Sequence, residues 1–544
     1  MLPVRTLAAA VLLALPPWLA AQTPDPGGRV AAAVSGAAIR AHVDFLASDL
    51  LEGRAAGTRG GEIAAAYIAA QFARLGLEPA GDSGSYLHRV PVLSLTPEPD
   101  LSIGGQRLAY RDDYVLWSMR NEPEVTLAGD LVFVGHGIVA PTWNWDDYAG
   151  VDVKGKTVVA LVNDPGLRDP RIFKGKALTY YGRWTYKIEE AARQGAAGIL
   201  LIHTDESATY GWASVTGSWT GPQVRIETPA TSLIAAGWLT RSAATRVFAG
   251  AGLDLDSLMD RAARRGFRGV PIRGGLRAGV RSRIERSVTA NVIARLPGAG
   301  SKAHEAVMIG GHYDHLGIRR PVNGDSIANG AVDNATGTAA VLALADAFVA
   351  SGVRPGRSVL FIAFGAEESG LLGSTAFAER PTIPLRDLAA VLNLDGIAPF
   401  GATADIAALG DDQSTLGDAF RAAAAAEGLR ASVNADAAAK GYFFRSDHFP
   451  MVRAGVPGLS FQDGMELRGK PADTWRRLSD DYTAERYHQP GDEWLDWYTV
   501  DPIVQQARVA ARIAVAVGDA AGQPEWHAGS EFKAAGQARL LTDN

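Results

Sequence analysis

Apolar and polar positions along the chain change their period several times. Between Ala37 and Leu75 the period is helical. In AAIRAHVDFLASDLLEGR, Ile39, Val43, Phe45, Leu46 and Leu50 recur at near-helical spacing, and Glu62 to Leu75, EIAAAYIAAQFARL, forms an amphipathic helix closed by Gly76. The turn GRAAGTRGG lies between them, and its Arg54, Thr58 and Arg59 read as solvated turn residues. Tyr86 to Leu95 and Leu101 to Leu116 read as two short strands. From Leu127 to Val270, glycine-bounded apolar runs (DLVFVGHGI, KGKTVVALVNDPG) alternate with helical patterns such as TYKIEEAARQGAAGILLIHTD, a helix followed by a buried strand. The basic passage 263–283 reads as a return linker with solvated charge. From SVTANVIARLPG to about Gly518 strands and helices alternate again. That pattern predicts an α/β fold, a mixed and mostly parallel sheet flanked by helices.

Composition narrows the function. A chain of 544 residues exceeds one compact core, so several domains are expected. The division read here is 22–126, 127–270 and 271–520, with a peripheral tail at 521–544. Net charge is −6 with no basic patch interleaved with aromatics, which excludes a nucleic-acid surface. There is no cysteine, so disulfides, thiolate metal sites and cysteine nucleophiles are excluded. The first 21 residues have the form of a signal peptide: Arg5, an apolar run from Leu7 to Leu15, and small residues at Ala20-Ala21, with cleavage expected after Ala21. The run is too short to span a bilayer. A secreted or periplasmic protein without a membrane span after cleavage is therefore expected.

Candidate chemistry gathers at the ends of apolar runs. Val307 to Ala345 is a strand that breaks at Gly310-Gly311, a polar loop with His312, Asp314 and His315, and a small-residue helix preceded by Asp333. SVLFIAF is followed by Glu367-Glu368, LAAVLNL by Asp395, and Tyr487-His488 lies before the last helix. Ligands bind at the carboxyl edge of open α/β sheets. A histidine and carboxylate set without cysteine suits catalytic zinc. His312, Asp333, Glu368, Asp395 and His488 suffice for two ions if Asp333 bridges. Two Zn²⁺, three carboxylates and a hydroxide then sum to neutrality, which avoids a large cost of burying charge. Glu367 remains free as a general base, Asp314 stands where it can accept the second ring N–H of His312, and Tyr487 can donate to an oxyanion. His315 and Asp325 are expected outside the ligand set. His136 and His203, each alone beside an apolar strand, read as structural.

The motifs GGHYDHLG, NGAVDNATGTAAVLALA, FIAFGAEESGLLGS, VLNLDG, RSDHFPMVRAGVP and YHQPGDEW, in this order, resemble the secreted co-catalytic di-zinc aminopeptidases, which share a superfamily with glutamate carboxypeptidase II. WDDYAGVDVKGKTVVAL and KIEEAARQGAAGILLIH resemble a protease-associated (PA) domain inserted before the catalytic core. The resemblance implies the zinc-exopeptidase fold, two zinc ions per chain and peptide substrates. It implies that His312 and Asp395 hold one ion, Glu368 and His488 the other, and Asp333 both. Glu367 would be the base, Asp314 the residue orienting His312, and Tyr487 an aid to the oxyanion. A cis peptide is implied after Asp333. A dipeptidase or carboxypeptidase on the same scaffold is the alternative, which an arginine clamp drawn from Arg54, Arg445 or Arg453 would mark. A single-zinc cyclase-like enzyme and a non-catalytic binding protein fit less well, because every ligand and the base are in place.

Overall fold

The computed structural model describes residues 25–227 and 232–541, so the expected signal peptide lies outside the described residues. The main strands are β1 (Leu87–Ile103), β2 (Tyr114–Ser118), β3 (Glu124–Phe133), β4 (Thr157–Leu161), β5 (Gly198–His203), β6 (Ala235–Thr240), β7 (Val270–Leu296), β8 (Ala306–His312), β9 (Ser358–Phe364), β10 (Leu388–Asn393), β11 (Asp405–Leu409), β12 (Arg430–Ser432) and β13 (Gly458–Gln462). They join one hydrogen-bonded sheet in the order β12-β11-β13-β10-β8-β9-β7-β3-β4-β5-β6-β2. The pairs β9-β8, β8-β10 and β10-β13 are parallel on one side of β7. On its other side β3-β4, β4-β5 and β5-β6 are parallel too. The mixed, mostly parallel sheet with flanking helices is the architecture that the alternating pattern predicts.

β7 is the seam, and it corrects two local readings. Of the passage read as a return linker, 263–283, residues 270–283 are the first half of a 27-residue strand. Leu276, Ala278, Val280 and Ser282 are buried while Arg277, Arg281 and Arg283 face out, the period of two of a half-exposed strand. From Ala290 to Ala294 every residue is buried, as expected where the same strand enters the sheet centre beside β9. β1 pairs with β7 over all of its 17 residues, joining the strand expected at 86–95 to the start of the one expected at 101–116. Its Pro97 and Pro99 broke the pattern in the sequence but lie beyond the stretch, residues 92–95, that pairs with the short strand Gln223–Ile226. There a missing N–H breaks no ladder bond.

Helices Gly36–Leu46 and Arg59–Arg74 pack with Thr336–Ser351 and Asp501–Asp519 over one face of the half that carries β8 to β13, around Phe72, Phe348, Phe361 and Ile513. Each such fully buried large side chain contributes roughly 1.5–3 kcal/mol. Among the described residues, the one helix long and apolar enough to cross a membrane by length and composition is Ala331–Ser351, and 78% of its apolar window is buried in this core. The stretch after Ala521 also packs. Phe532 is buried, Trp526 donates to the Gly455 carbonyl, and Arg539 donates to Leu385 and Leu388 carbonyls.

Candidate metal centre

Three parallel strands deliver the site. His312 ends β8 in register with Phe364 of β9, Glu367 and Glu368 follow β9, and Asp395 lies two residues beyond β10. Ala366 turns the chain in the left-handed region (φ 59°) and ends the strand immediately before the glutamates. The helix behind the site begins at Thr336 and must approach closely. A Cβ on Gly337 would lie 2.3 Å from the Leu394 carbonyl oxygen, so only glycine fits.

The predicted ligands converge as two trios that share one carboxylate. His312 Nε2 lies 3.0 Å from Asp395 Oδ1 and 3.3 Å from Asp333 Oδ1. His488 Nε2 lies 3.2 Å from Asp333 Oδ2 and 3.3 Å from Glu368 Oε2. Asp333 thus turns one oxygen to each histidine. These separations match the ~3.3 Å edge of a tetrahedron with ~2.0 Å metal–ligand bonds. His312, Asp333 and Glu368 also place ligand atoms within 4.8 Å of one another. The donor set therefore fits two zinc ions. The Asp333–Asn334 peptide is cis, where the resemblance implied it.

Without metal the two histidines act as the counter-cations. Burial works against the charged form of His488, but Glu368 and Asp333 outweigh it and raise the imidazole to about 9. His312 rises well above its ordinary value, with burial opposed chiefly by Asp395 and Glu367. Glu367 stands outside both trios, its carboxylate 4.0 Å from His312 Nε2. Burial, together with Asp395, Glu368 and Asp447, pushes it well above the usual carboxylate range.

Asp314 does a different job from the one expected. The second ring nitrogen of His312 meets the main-chain carbonyl of Asp314 at 3.1 Å, while the carboxylate is 3.8 Å away. The carboxylate instead accepts the Glu367 N–H at 3.0 Å and so holds the glutamate loop. The Tyr487 ring stacks on His488 with centroids 3.9 Å apart. Tyr487 is 45% exposed as a whole, but desolvation of its hydroxyl and the surrounding carboxylates, Asp333 and Glu368 first, raise that hydroxyl well above its ordinary value. His315 lies behind the ligands, its Nδ1 2.7 Å from Glu368 Oε1. Asp325 is in a hairpin, and His448 is buried outside both trios.

Four supporting residues escaped the sequence reading. Arg54, taken for a solvated turn residue, is fully buried. Its guanidinium donates to the carbonyls of Tyr313, Leu46, Asn329 and Gly330, pinning the loops that carry His312 and Asp333. Only the long-range fold puts those carbonyls around it. Asp492 accepts the Val332 and Asp333 N–H groups at 3.0 Å each. Asn334 joins the His312 and Leu394 carbonyls to the Gly337 and Gly396 N–H groups. Ser446 donates to Asp395 Oδ2 at 2.5 Å. The signal for two of them was adjacency, since Asn334 follows a ligand and Asp492 sits in the motif that carries His488.

Residues 291–511 match the family described as Peptidase family M28. Leupeptin-inactivating enzyme 1 of Streptomyces exfoliatus is 28% identical over 205 residues, 37% of this chain and 42% of that protein. Aminopeptidase NAALADL1 of Mus musculus is 32% identical over 130 residues, 23% of this chain and 16% of that protein. The chain spans less than half the length of the curated relatives it matches. Among solved structures, the aminopeptidase from Aneurinibacillus sp. strain AM-1 superposes with a TM-score of 0.50 at 21% identity, covering 91% of this chain and 97% of that one, a likeness of fold. The segment that matches this family contains β8 to β10 and every residue of the two trios.

Proposed function

We propose that this protein is a zinc aminopeptidase that removes N-terminal residues from peptides with two ions held by His312, Asp395, Asp333, Glu368 and His488. The observation that carries the reading is Asp333, which presents one oxygen to each histidine trio. Zinc bound there supplies Lewis acidity, polarising the scissile carbonyl and acidifying a water. The chain's own residues do the rest. Glu367, uncommitted to either trio, takes the water proton and returns it to the leaving amine. Asp314 fixes the Glu367 backbone, and the protonated Tyr487 hydroxyl donates toward the developing oxyanion. Residues 127–270 act as a PA domain beside the cleft, and the leader directs export to a secreted or periplasmic location. The test is hydrolysis of several aminoacyl-4-nitroanilides by zinc-loaded protein, with N-acetylated controls. Free-amine substrates are turned over and blocked ones are not; cleavage of both alike contradicts an aminopeptidase.

A further inference from the structure

A cavity of about 500 Å³ lies beyond the carboxyl ends of β4, β5 and β6, and none of the metal-centre residues lines it. That volume is far more than one water needs and falls in the range of small-molecule sites. Its floor is buried. His136 and His203 are 6% and 4% exposed there, beside the buried Val162 and Ile202. His136 Nδ1 faces the Asn163 carbonyl and His203 Nε2 that of Tyr210, each at 3.0 Å. A carbonyl only accepts, so these two nitrogens carry the protons. Burial lowers both rings and holds them neutral, and at His136, which falls to about 3, Lys187 and Arg168 add to it. His136 Nε2 and His203 Nδ1 are therefore acceptors, and among the described residues neither meets a hydrogen-bond donor. Asn163 ties the two sides of the floor together, because its side-chain amide donates to the Ser207 carbonyl at 3.1 Å. Trp212 is a wall. Its Nε1 donates to the Arg111 carbonyl at 2.7 Å, and its ring meets His203 edge to face with centroids 5.4 Å apart.

The charges at the mouth are exposed. Arg168 pairs with Asp260 at 2.8 Å and Arg241 with Asp256 at 2.6 Å, while Asp205 and Glu206 line the same mouth. An anion meets Asp205 and Glu206 with both arginines already neutralised. A cation meets a floor where Lys187 and Arg168 already oppose charge on His136. An apolar ligand leaves two buried acceptors without donors, which is unfavourable. A neutral molecule with O–H donors and an apolar face satisfies every element.

We propose that this cavity binds a neutral saccharide, with ring hydroxyls donating to His136 Nε2 and His203 Nδ1 and the C–H face of a pyranose against Trp212. The Thr204 and Ser242 hydroxyls on the walls serve further sugar hydroxyls, since each O–H both donates and accepts. The site is independent of the peptidase reading and gives residues 127–270 a ligand of their own.

The test is isothermal calorimetry on the zinc-loaded full chain with D-glucose, D-galactose, N-acetylglucosamine and maltose, and with glucosamine and glucuronate as charged relatives. At least one neutral sugar is expected to bind with a Kd of about 1 mM or tighter, about tenfold or more tighter than either charged relative. Trp212→Ala should weaken that sugar about tenfold, and Trp212→Phe should recover part of the loss, because a phenyl face still stacks. His203→Leu removes one acceptor and should weaken binding by a similar factor. Its melting temperature shows whether it has folded; if it has not, the half-buried Trp212 and its two variants still decide. No binding of any of the four neutral sugars up to about 20 mM, or affinity unchanged in Trp212→Ala, overturns the site. A charged relative that binds as tightly as the best neutral sugar overturns the ligand class.

Discussion

The sheet carries two sets of parallel strand ends, and among the described residues only one of them gathers histidines and carboxylates that could hold a metal ion. Beyond β8, β9 and β10, His312 meets Asp395 and Asp333 within 3.3 Å, with Glu367 and Glu368 alongside. Beyond β4, β5 and β6 a cavity of about 500 Å³ is lined by His136, His203, Arg168, Arg241, Asp205 and Trp212, among others. Both places offer buried histidines at the carboxyl edge of a parallel sheet. In the middle unit carboxylates do not converge on these histidines: of the two, only His203 has one within ion-pair distance, the exposed Asp205, 3.7 Å from its Nδ1. His136 Nδ1 meets the Asn163 carbonyl, His203 Nε2 meets that of Tyr210, and burial drives His136 down to about 3. In the catalytic half a carbonyl fixes one ring nitrogen of His312, and the other faces carboxylates. The topology is common to both; the chemistry comes from carboxylates brought together, and from Arg54, Asn334 and Asp492, which hold their loops in place.

The largest expected break in this comparison is Glu367→Gln. Zinc content should stay at the wild-type value while kcat falls about 10²–10⁴-fold, the usual worth of a general base. Near-normal turnover with zinc verified by elemental analysis removes Glu367 from that role. Arg54→Met comes next. It leaves buried carbonyls of both ligand loops without donors, at about 1–3 kcal/mol each, so chemical denaturation should find a loss of at least ~3 kcal/mol. A loss under ~1 kcal/mol would mean that the loops hold themselves.

A smaller effect tests the two histidine environments by pH. The metal-free His488 titrates near 9 against an ordinary 6.5. Its pairing with Glu368 and Asp333 therefore stabilises the metal-free fold fully below about pH 6.5, and that contribution is lost as pH rises through about 9. Zinc requires the neutral ring, so the melting-temperature gain on adding zinc should be larger at pH 9 than at pH 6. A gain independent of pH, with His488→Gln behaving like wild type, would remove His488 from the ligands. The smallest effect is a contrast on the other side of β7. His136→Gln should leave zinc stoichiometry and aminoacyl-4-nitroanilide turnover within about twofold of wild type, because distant sites act independently.

The α/β class and the position of His312, Glu367, Glu368 and Asp395 at strand ends were legible because they follow from local pattern, an apolar run and then an acid or histidine. What stayed hidden depends on contacts made across the chain. Arg54 looks like a turn residue until Asn329 and Gly330 fold over it. Spacing and resemblance both point Asp314 at the His312 ring, yet its own main-chain carbonyl reaches that ring first and the carboxylate accepts the Glu367 N–H. The first half of β7 reads as a linker because glycine and arginine are frequent in loops. Its alternating burial appears only when β1 and β3 flank it.

The most direct test of the central claim is a crystal structure of the zinc-loaded protein with anomalous difference maps at the zinc edge. Two peaks roughly 3.5–4 Å apart are expected, one beside His312 and Asp395 and one beside His488 and Glu368, with an oxygen of Asp333 on each. A single peak at saturating zinc, or two peaks that do not share Asp333, would contradict it.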